Sequence, residues 1–209
     1  MFSLQRLLGR PKEFFSLLEQ SAELGCQAAT ALNEMVTHPN TAPSLDIFAQ
    51  ARRKDKEIIN RLEEMLSVVF VTPFEREDLE DVAQGLYRIP KAVEKFAERY
   101  VITWEKVRDV DFTLAARMLE RATVVIRDMV RSLRNFGTLA DIKSFDARLS
   151  QIEADAAHIL MDATRRIYAP GTGSLKAIIV KELFDVLSEG IDDCRDLGRT
   201  LALVVLRNS

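Results

Sequence analysis

The sequence predicts an all-α protein made of two tandem antiparallel three-helix bundles. Three observations favour this fold class. Good helix formers dominate the composition, and the 209 residues include only 8 Gly and 6 Pro. Apolar residues recur with a helical spacing along six long stretches, and no stretch alternates as a strand would. Short polar breaks separate the stretches, and short connections make consecutive helices antiparallel neighbours.

Proline-containing breaks bound the first two helices. The first follows Pro11 and extends to about residue 36, and a break with two prolines spans residues 38–43. Ser44 is expected to cap the second helix, which ends before Pro73. The apolar faces of these helices predict the core residues Phe14, Leu18, Ala22, Ala29, Leu32, Leu45, Phe48, Ile59, Leu62, Leu66 and Val69.

The segment Thr-Pro-Phe-Glu-Arg-Glu-Asp predicts the start of a third, longer helix. Thr72 would be the cap, Pro73 the first helical residue, and Glu75 the acid that completes a capping box. Pro90 lies inside this helix and is expected to remove a backbone hydrogen bond and cause a kink. The apolar face of the helix consists of Leu79, Val82, Leu86, Val93, Ala97 and Tyr100.

Three more helices are predicted in the second half. Asp109 or Asp111 starts the fourth helix, and Thr138 or Asp141 starts the fifth. A loop rich in Gly and Pro precedes the sixth helix, which begins at Leu175. The predicted core residues are Ala115, Met118, Ala122, Val125, Met129, Leu133, Phe145, Leu149, Ile152, Ile159, Ala163, Ile167, Ile179, Leu183, Val186, Cys194, Leu201 and Val204.

The two predicted bundles are residues 1–107 and 108–209. No flexible linker separates them, so we expect one rigid body with internal pseudo-symmetry. Phe2, Leu4, Leu7 and Leu8 are expected to pack against the bundle. Cys26 and Cys194 stand among apolar positions, which predicts buried, reduced thiols.

Charge and hydropathy exclude several classes of partner. A net charge of −3 gives no reason to expect binding to nucleic acid. The longest apolar runs are too short for a transmembrane segment. The N-terminus shows no signal peptide, and we expect the protein to be cytoplasmic. No catalytic constellation is recognised, so the sequence does not predict an enzyme.

The segment at residues 72–78 resembles the Thr-Pro-Phe-Asp-Arg-Glu-Asp signature of PhoU-like proteins, specifically those of unknown function associated with Pit-type phosphate transporters. The N-terminal segment, the residues around Ile152, and the run Cys194-Arg195-Asp196-Leu197 agree, so the resemblance covers nearly the whole chain. It implies a cytoplasmic accessory protein or regulator of inorganic phosphate uptake. Such a protein would act by contact with a phosphate transporter or its signalling partner, would be peripheral to the membrane, and would form a homo-oligomer.

The resemblance also identifies four pairs of positions at which the family carries a metal-binding motif. PhoU-like proteins carry a Glu-x-x-x-Asp motif on the second and third helix of each half, and the stacked carboxylates suit iron, manganese or another hard cation. Here the motif positions are occupied by Arg52 and Lys56, Tyr87 and Lys91, Glu153 and Ala157, and Ser188 and Asp192. A constant offset of 101 residues relates the two halves.

None of the four motifs keeps both carboxylates. Only Glu153 and Asp192 remain in the second half, and two carboxylates give a weak, open metal site at best. We therefore expect no tightly bound metal and no cofactor.

In the first half, Arg52, Lys56 and Lys91 occupy motif positions and Arg88 adds a further positive charge beside them. These four residues form a candidate site for an anion or for an acidic side chain of a partner. Alternatively, ion pairs with Asp55 and Glu94 disperse the charge.

Two other functions stay open at this point. One is a metal-binding helical bundle of the carboxylate type, acting as an enzyme or a metal store. The other is an assembly scaffold that has left phosphate physiology, for which the loss of all four motifs would be expected.

Overall fold

The computed structural model describes residues 11–69, 71–135, 138–169 and 173–208. Within these ranges the chain forms six helices and no strand: α1 (Pro11–Thr37), α2 (Asp46–Val68), α3 (Arg76–Val107), α4 (Thr113–Leu133), α5 (Leu139–Ile167) and α6 (Ser174–Arg207). The predicted all-α fold class is confirmed. No helix in the described ranges combines the length and apolar character that a bilayer span requires.

Four helices form the centre of the molecule. α1 packs extensively on α4, and α3 packs extensively on α6; contacts of α1 with α3 and of α4 with α6 close the ring. α2 covers α1 and α3 on one side, and α5 covers α4 and α6 on the other. The division into bundles of residues 1–107 and 108–209 stays a prediction.

The buried apolar residues form one continuous core with members from all six helices. Nearly all of the predicted core residues belong to it. Five of them are only partly buried and pack at its margin: Leu45, Phe145, Ile159, Ala163 and Ile179. Three of these five lie on α5, because this outer helix is covered by neighbours on one side only.

The predicted start of α3 is wrong by three residues. The helix begins at Arg76, and the side chain of the N-cap residue Glu75 makes no capping hydrogen bond. The Thr72 hydroxyl instead donates to the carbonyl oxygen of Phe74 at 2.6 Å, which stabilises the turn before the helix. The buried Phe74 ring makes an edge contact with Phe15, with the ring centroids 5.8 Å apart. This anchored turn places the helix start later than the proline suggested.

The same segment joins three helices at one corner. The Arg76 guanidinium donates to the carbonyl oxygens of Leu66 and Val69 and so satisfies the C-terminal end of α2. The buried Asp78 carboxylate accepts a hydrogen bond from Arg207 of α6 at 2.5 Å. The Thr-Pro-Phe-Glu-Arg-Glu-Asp segment therefore has a structural role that links α2, α3 and α6.

The other helix starts follow the sequence signals more closely. The Ser44 hydroxyl accepts a hydrogen bond from the first backbone N–H of α2 at 3.2 Å. The Asp111 carboxylate accepts from the first N–H of α4 at 2.9 Å, whereas Asp109 pairs with a lysine of α6. Thr138 is the N-cap of α5, and Asp141 completes its capping box.

α3 continues as a helix through Pro90, and the kink expected at this residue stays a prediction.

Close helix packing depends on glycines that face bulky residues. A Cβ atom at Gly25 of α1 would lie 3.3 Å from the Ile89 side chain. A Cβ atom at Gly85 of α3 would lie only 2.7 Å from Leu197 Cδ1 of α6. The missing side chains allow α3 to approach both neighbours closely.

Cys26 and Cys194 are buried free thiols, as predicted, and burial raises the pKa of each. The predicted packing of Phe2, Leu4, Leu7 and Leu8 lies outside the described residues.

Candidate functional site

Arg52 of α2 lies across one face of α3. Its guanidinium carbon is 3.7 Å from the centroid of the Tyr87 ring, which is a cation–π contact. Its Nε atom is 3.5 Å from Glu94 Oε2. Its Nη1 atom is buried and finds no hydrogen-bond partner in the described part of the chain. The arginine is thus held in place while one N–H group remains unsatisfied.

Arg52 defines a groove between α2 and α3. Tyr87, Lys91 and Glu94 follow one another at i, i+4 and i+7, so they share one face of α3. Because Arg52 contacts the first and the last of them, Lys91 lies between these two contacts. Lys56 follows Arg52 by one helical turn on α2. We call the surface formed by Arg52, Lys56, Tyr87, Lys91 and Glu94 the α2–α3 groove.

The two lysines of the groove carry free charges. Lys56 and Lys91 are exposed, and neither forms an ion pair with any residue that the structure describes. Burial raises the pKa of Glu94, as does the negative charge of Glu98, whereas Arg52 and Arg53 lower it. The sequence offered the alternative that ion pairs disperse the positive charge of this site. Arg52 does pair with Glu94, but the two lysines form no ion pair with the described residues.

Arg88 is not part of this groove. Its guanidinium pairs with the Asp193 carboxylate of α6 at 3.7 Å, and so faces the opposite neighbour of α3. Burial raises the pKa of Asp193, and the charge of Arg88 opposes this effect. Lys95 likewise binds Glu189 of α6 at 2.5 Å. Arg88 therefore joins α3 to α6, and the grouping of Arg52, Lys56 and Lys91 as one site stays a prediction.

Asp55 is the charged residue that enters the core. It is 0% exposed, and its Oδ1 accepts a hydrogen bond from the Ser21 hydroxyl of α1 at 2.5 Å. Its Oδ2 finds no partner among the described residues. Burial raises the pKa of Asp55 to about 6, although the Ser21 hydrogen bond and the charge of Arg52 oppose the rise. Asp55 therefore faces the core from α2, whereas its neighbour Lys56 is exposed.

Sequence reasoning missed Ser21 as the partner of this carboxylate. The signal was a hydroxyl in the middle of the apolar face of α1, between Leu18 and Gly25. A buried polar residue of this kind requires a hydrogen-bond partner.

The remaining carboxylates of the second half are used differently. Glu153 lies 3.3 Å from Arg195, which also binds Asp146 at 2.5 Å. Burial raises the pKa of Asp192, and the charges of Glu153 and Asp196 raise it further. Glu153 and Asp192 are thus near enough to repel one another. No group of three or more His, Cys, Asp or Glu side chains in the described residues has the arrangement of a metal site.

Comparison with known proteins gives two full-length relatives. No family model matches the chain. The chain is 22% identical over 209 residues to the UPF0111 protein YkaA of Bacillus subtilis (strain 168), which covers 97% of this chain and 100% of that protein. It is 21% identical over 215 residues to a "Putative pit accessory protein" of Rhizobium meliloti (strain 1021), with 98% of this chain and 97% of that protein covered.

Two solved structures from Shewanella oneidensis MR-1 share the fold. A PhoU-like protein superposes with a TM-score of 0.80 at 15% identity and covers 93% of this chain and 99% of its own. A "putative PhoU-like phosphate regulatory protein" superposes with a TM-score of 0.73 at 14% identity, over 93% of this chain and 96% of its own. The chain therefore has the all-α fold of PhoU-like proteins. The resemblance to the PhoU-like family that the sequence indicated is confirmed.

Proposed function

We propose that the protein is a cytoplasmic, non-enzymatic accessory protein that regulates inorganic phosphate uptake by contact with a phosphate transporter or its signalling partner. The observation that carries this proposal is the similarity to the pit accessory protein, which extends over 98% of this chain. The PhoU-like fold, which the solved structures share over 93% of this chain, supports it.

The chemistry of the α2–α3 groove agrees with a binding role. Arg52, Lys56 and Lys91 provide positive charge and hydrogen-bond donors, and Tyr87 orients one of them. Such groups recognise anions, and nothing in their arrangement pairs a nucleophile with a base as covalent catalysis requires.

The first experiment is recovery of partners from native membranes with the tagged full chain, in phosphate-rich and phosphate-starved cells. We expect stoichiometric recovery of a phosphate transporter, identified by mass spectrometry, and altered phosphate uptake in a deletion strain. Recovery of the chain alone, with unchanged uptake in the deletion strain, would refute the proposal and favour an assembly scaffold.

The metal-binding alternative has its own test. Protein purified without chelators is assayed for iron and manganese, with Glu153→Gln and Asp192→Asn variants as controls. The proposal expects no stoichiometric metal. Stoichiometric metal that both variants lose would establish a carboxylate metal site instead.

The resemblance also implies self-association, and we include a homo-oligomer in the proposal. Light scattering coupled to size-exclusion chromatography should give a mass that is a multiple of 23.7 kDa. A mass of one chain across the accessible concentration range would contradict this part of it.

A further inference from the structure

The α2–α3 groove carries more positive than negative charge. Arg52, Lys56 and Lys91 contribute three cations, and Glu94, which contacts Arg52, contributes one carboxylate. Asp55 lies behind the groove and is fully buried, with one oxygen bound by a serine of α1. The groove therefore keeps a net positive charge even when Asp55 is ionised.

Its hydrogen-bond donors are also incompletely used. The Arg52 side chain is 15% exposed, and its Nε atom is 3.5 Å from Glu94, so it presents a fixed positive charge beside the groove. Lys56 and Lys91 stand on the two walls of the groove without ion-pair partners there. An anion between the walls would be attracted by all three positive charges.

The donors suit a tetrahedral oxyanion. Positive charge disfavours a metal ion, and a phosphate group offers acceptor oxygens in several directions, so it can bind donors from both helices at once. Arg52 is already fixed by the Tyr87 ring and by Glu94, so ordering its side chain costs little on binding.

We propose that the α2–α3 groove binds inorganic phosphate, held by Arg52, Lys56 and Lys91. Phosphate at this place would let the protein respond directly to the concentration of the anion. The proposal does not depend on contact with a transporter, so a failed membrane recovery and a failed phosphate titration would be separate results.

The test is isothermal titration of the purified full chain with inorganic phosphate at constant ionic strength. Lys56→Gln and Lys91→Gln should each weaken binding about tenfold, as expected when one charge-assisted hydrogen bond is lost. Arg52→Lys keeps the charge but loses the planar fork of donors, and it should weaken binding by a similar factor.

The matched control is Lys54→Gln. Lys54 is also exposed on α2, but it is two residues from Lys56 and so points to nearly the opposite side of the helix. This variant loses the same charge and should bind phosphate as the parent does. Circular dichroism and thermal unfolding establish that all variants are folded.

Three results would overturn the proposal. The parent chain could fail to bind millimolar phosphate, or Lys54→Gln could weaken binding as much as Lys56→Gln does. An acidic peptide could bind in the groove in a lysine-dependent manner while phosphate does not, which would assign the groove to a protein carboxylate.

Discussion

Asp55→Asn should remove one pH-dependent contribution to the free energy of unfolding. Asp55 is fully buried, and its carboxylate has one hydrogen bond and one oxygen without a partner among the described residues. The substitution keeps an oxygen that accepts the Ser21 hydroxyl and removes the charge. Aspartate at this position makes a pH-dependent contribution to the free energy of unfolding, whereas asparagine does not titrate.

The sign of the effect follows from the raised pKa. Burial raises the pKa of Asp55 from 3.8 to about 6, so the folded state binds this proton more tightly than the unfolded chain does. The stabilisation from the protonated form is therefore complete below pH 3.8 and is lost as the pH rises to about 6. At about 1.4 kcal/mol for each pH unit, the loss is about 3 kcal/mol.

The assay is urea unfolding of parent and variant, followed by circular dichroism at several pH values between 4 and 8. The free energy of unfolding of Asp55→Asn, relative to that of the parent, should increase by about 2 to 3 kcal/mol across this range, because a small part of the change occurs below pH 4. The other carboxylates titrate in both proteins, so their contributions cancel in the difference.

A constant offset is also expected, because the asparagine amide group would be buried at the place of the unpartnered Oδ2. The offset does not vary with pH. Asp81→Asn on the exposed side of α3 is the matched control for the loss of one carboxylate. Parallel curves for Asp55→Asn and the parent would refute the reasoning that burial sets the pKa of this carboxylate.

Three further measurements test the packing of the helices, the capping of α2 and the burial of a thiol. Gly85→Ala should lower the free energy of unfolding by about 1 kcal/mol, because overpacking against α6 outweighs the gain in helix propensity. Arg76→Gln should cost about 1–2 kcal/mol in urea unfolding, since it removes both donors to the end of α2, and a neutral result would contradict that capping role. The Cys194 thiol should resist a thiol-specific reagent in the native protein and react in urea; rapid native labelling would contradict its burial.

Periodicity predicted the helices and most of the core because these features are local. A helix places residues three and four apart on one face, so spacing alone identifies the side that is buried. The start of α3 was predicted wrongly because the Thr72 hydroxyl bonds within the preceding turn and Arg76 bonds the end of α2. Spacing within a single helix carries no information about either contact.

The candidate site could be predicted only in part for the same reason. The resemblance to PhoU-like proteins grouped Arg52, Lys56 and Lys91, and the structure shows that Arg52 contacts Tyr87 and Glu94 on either side of Lys91. It could not show that Arg88 turns to α6, because that depends on an acidic residue more than a hundred positions later in the chain. The Ser21 partner of the buried carboxylate is likewise 34 residues away from it.

The central ring of helices has a consequence for synthesis on the ribosome. The faces of α1 and α3 that meet α4 and α6 have no cover while only the first three helices exist. α3 ends at Val107 and α6 ends at Arg207, so 100 further residues must be translated before this cover is complete. At typical rates of elongation this takes roughly 5 to 20 seconds. The nascent first half therefore exposes an apolar surface for that time, and it is at this stage that a chaperone would have most to bind.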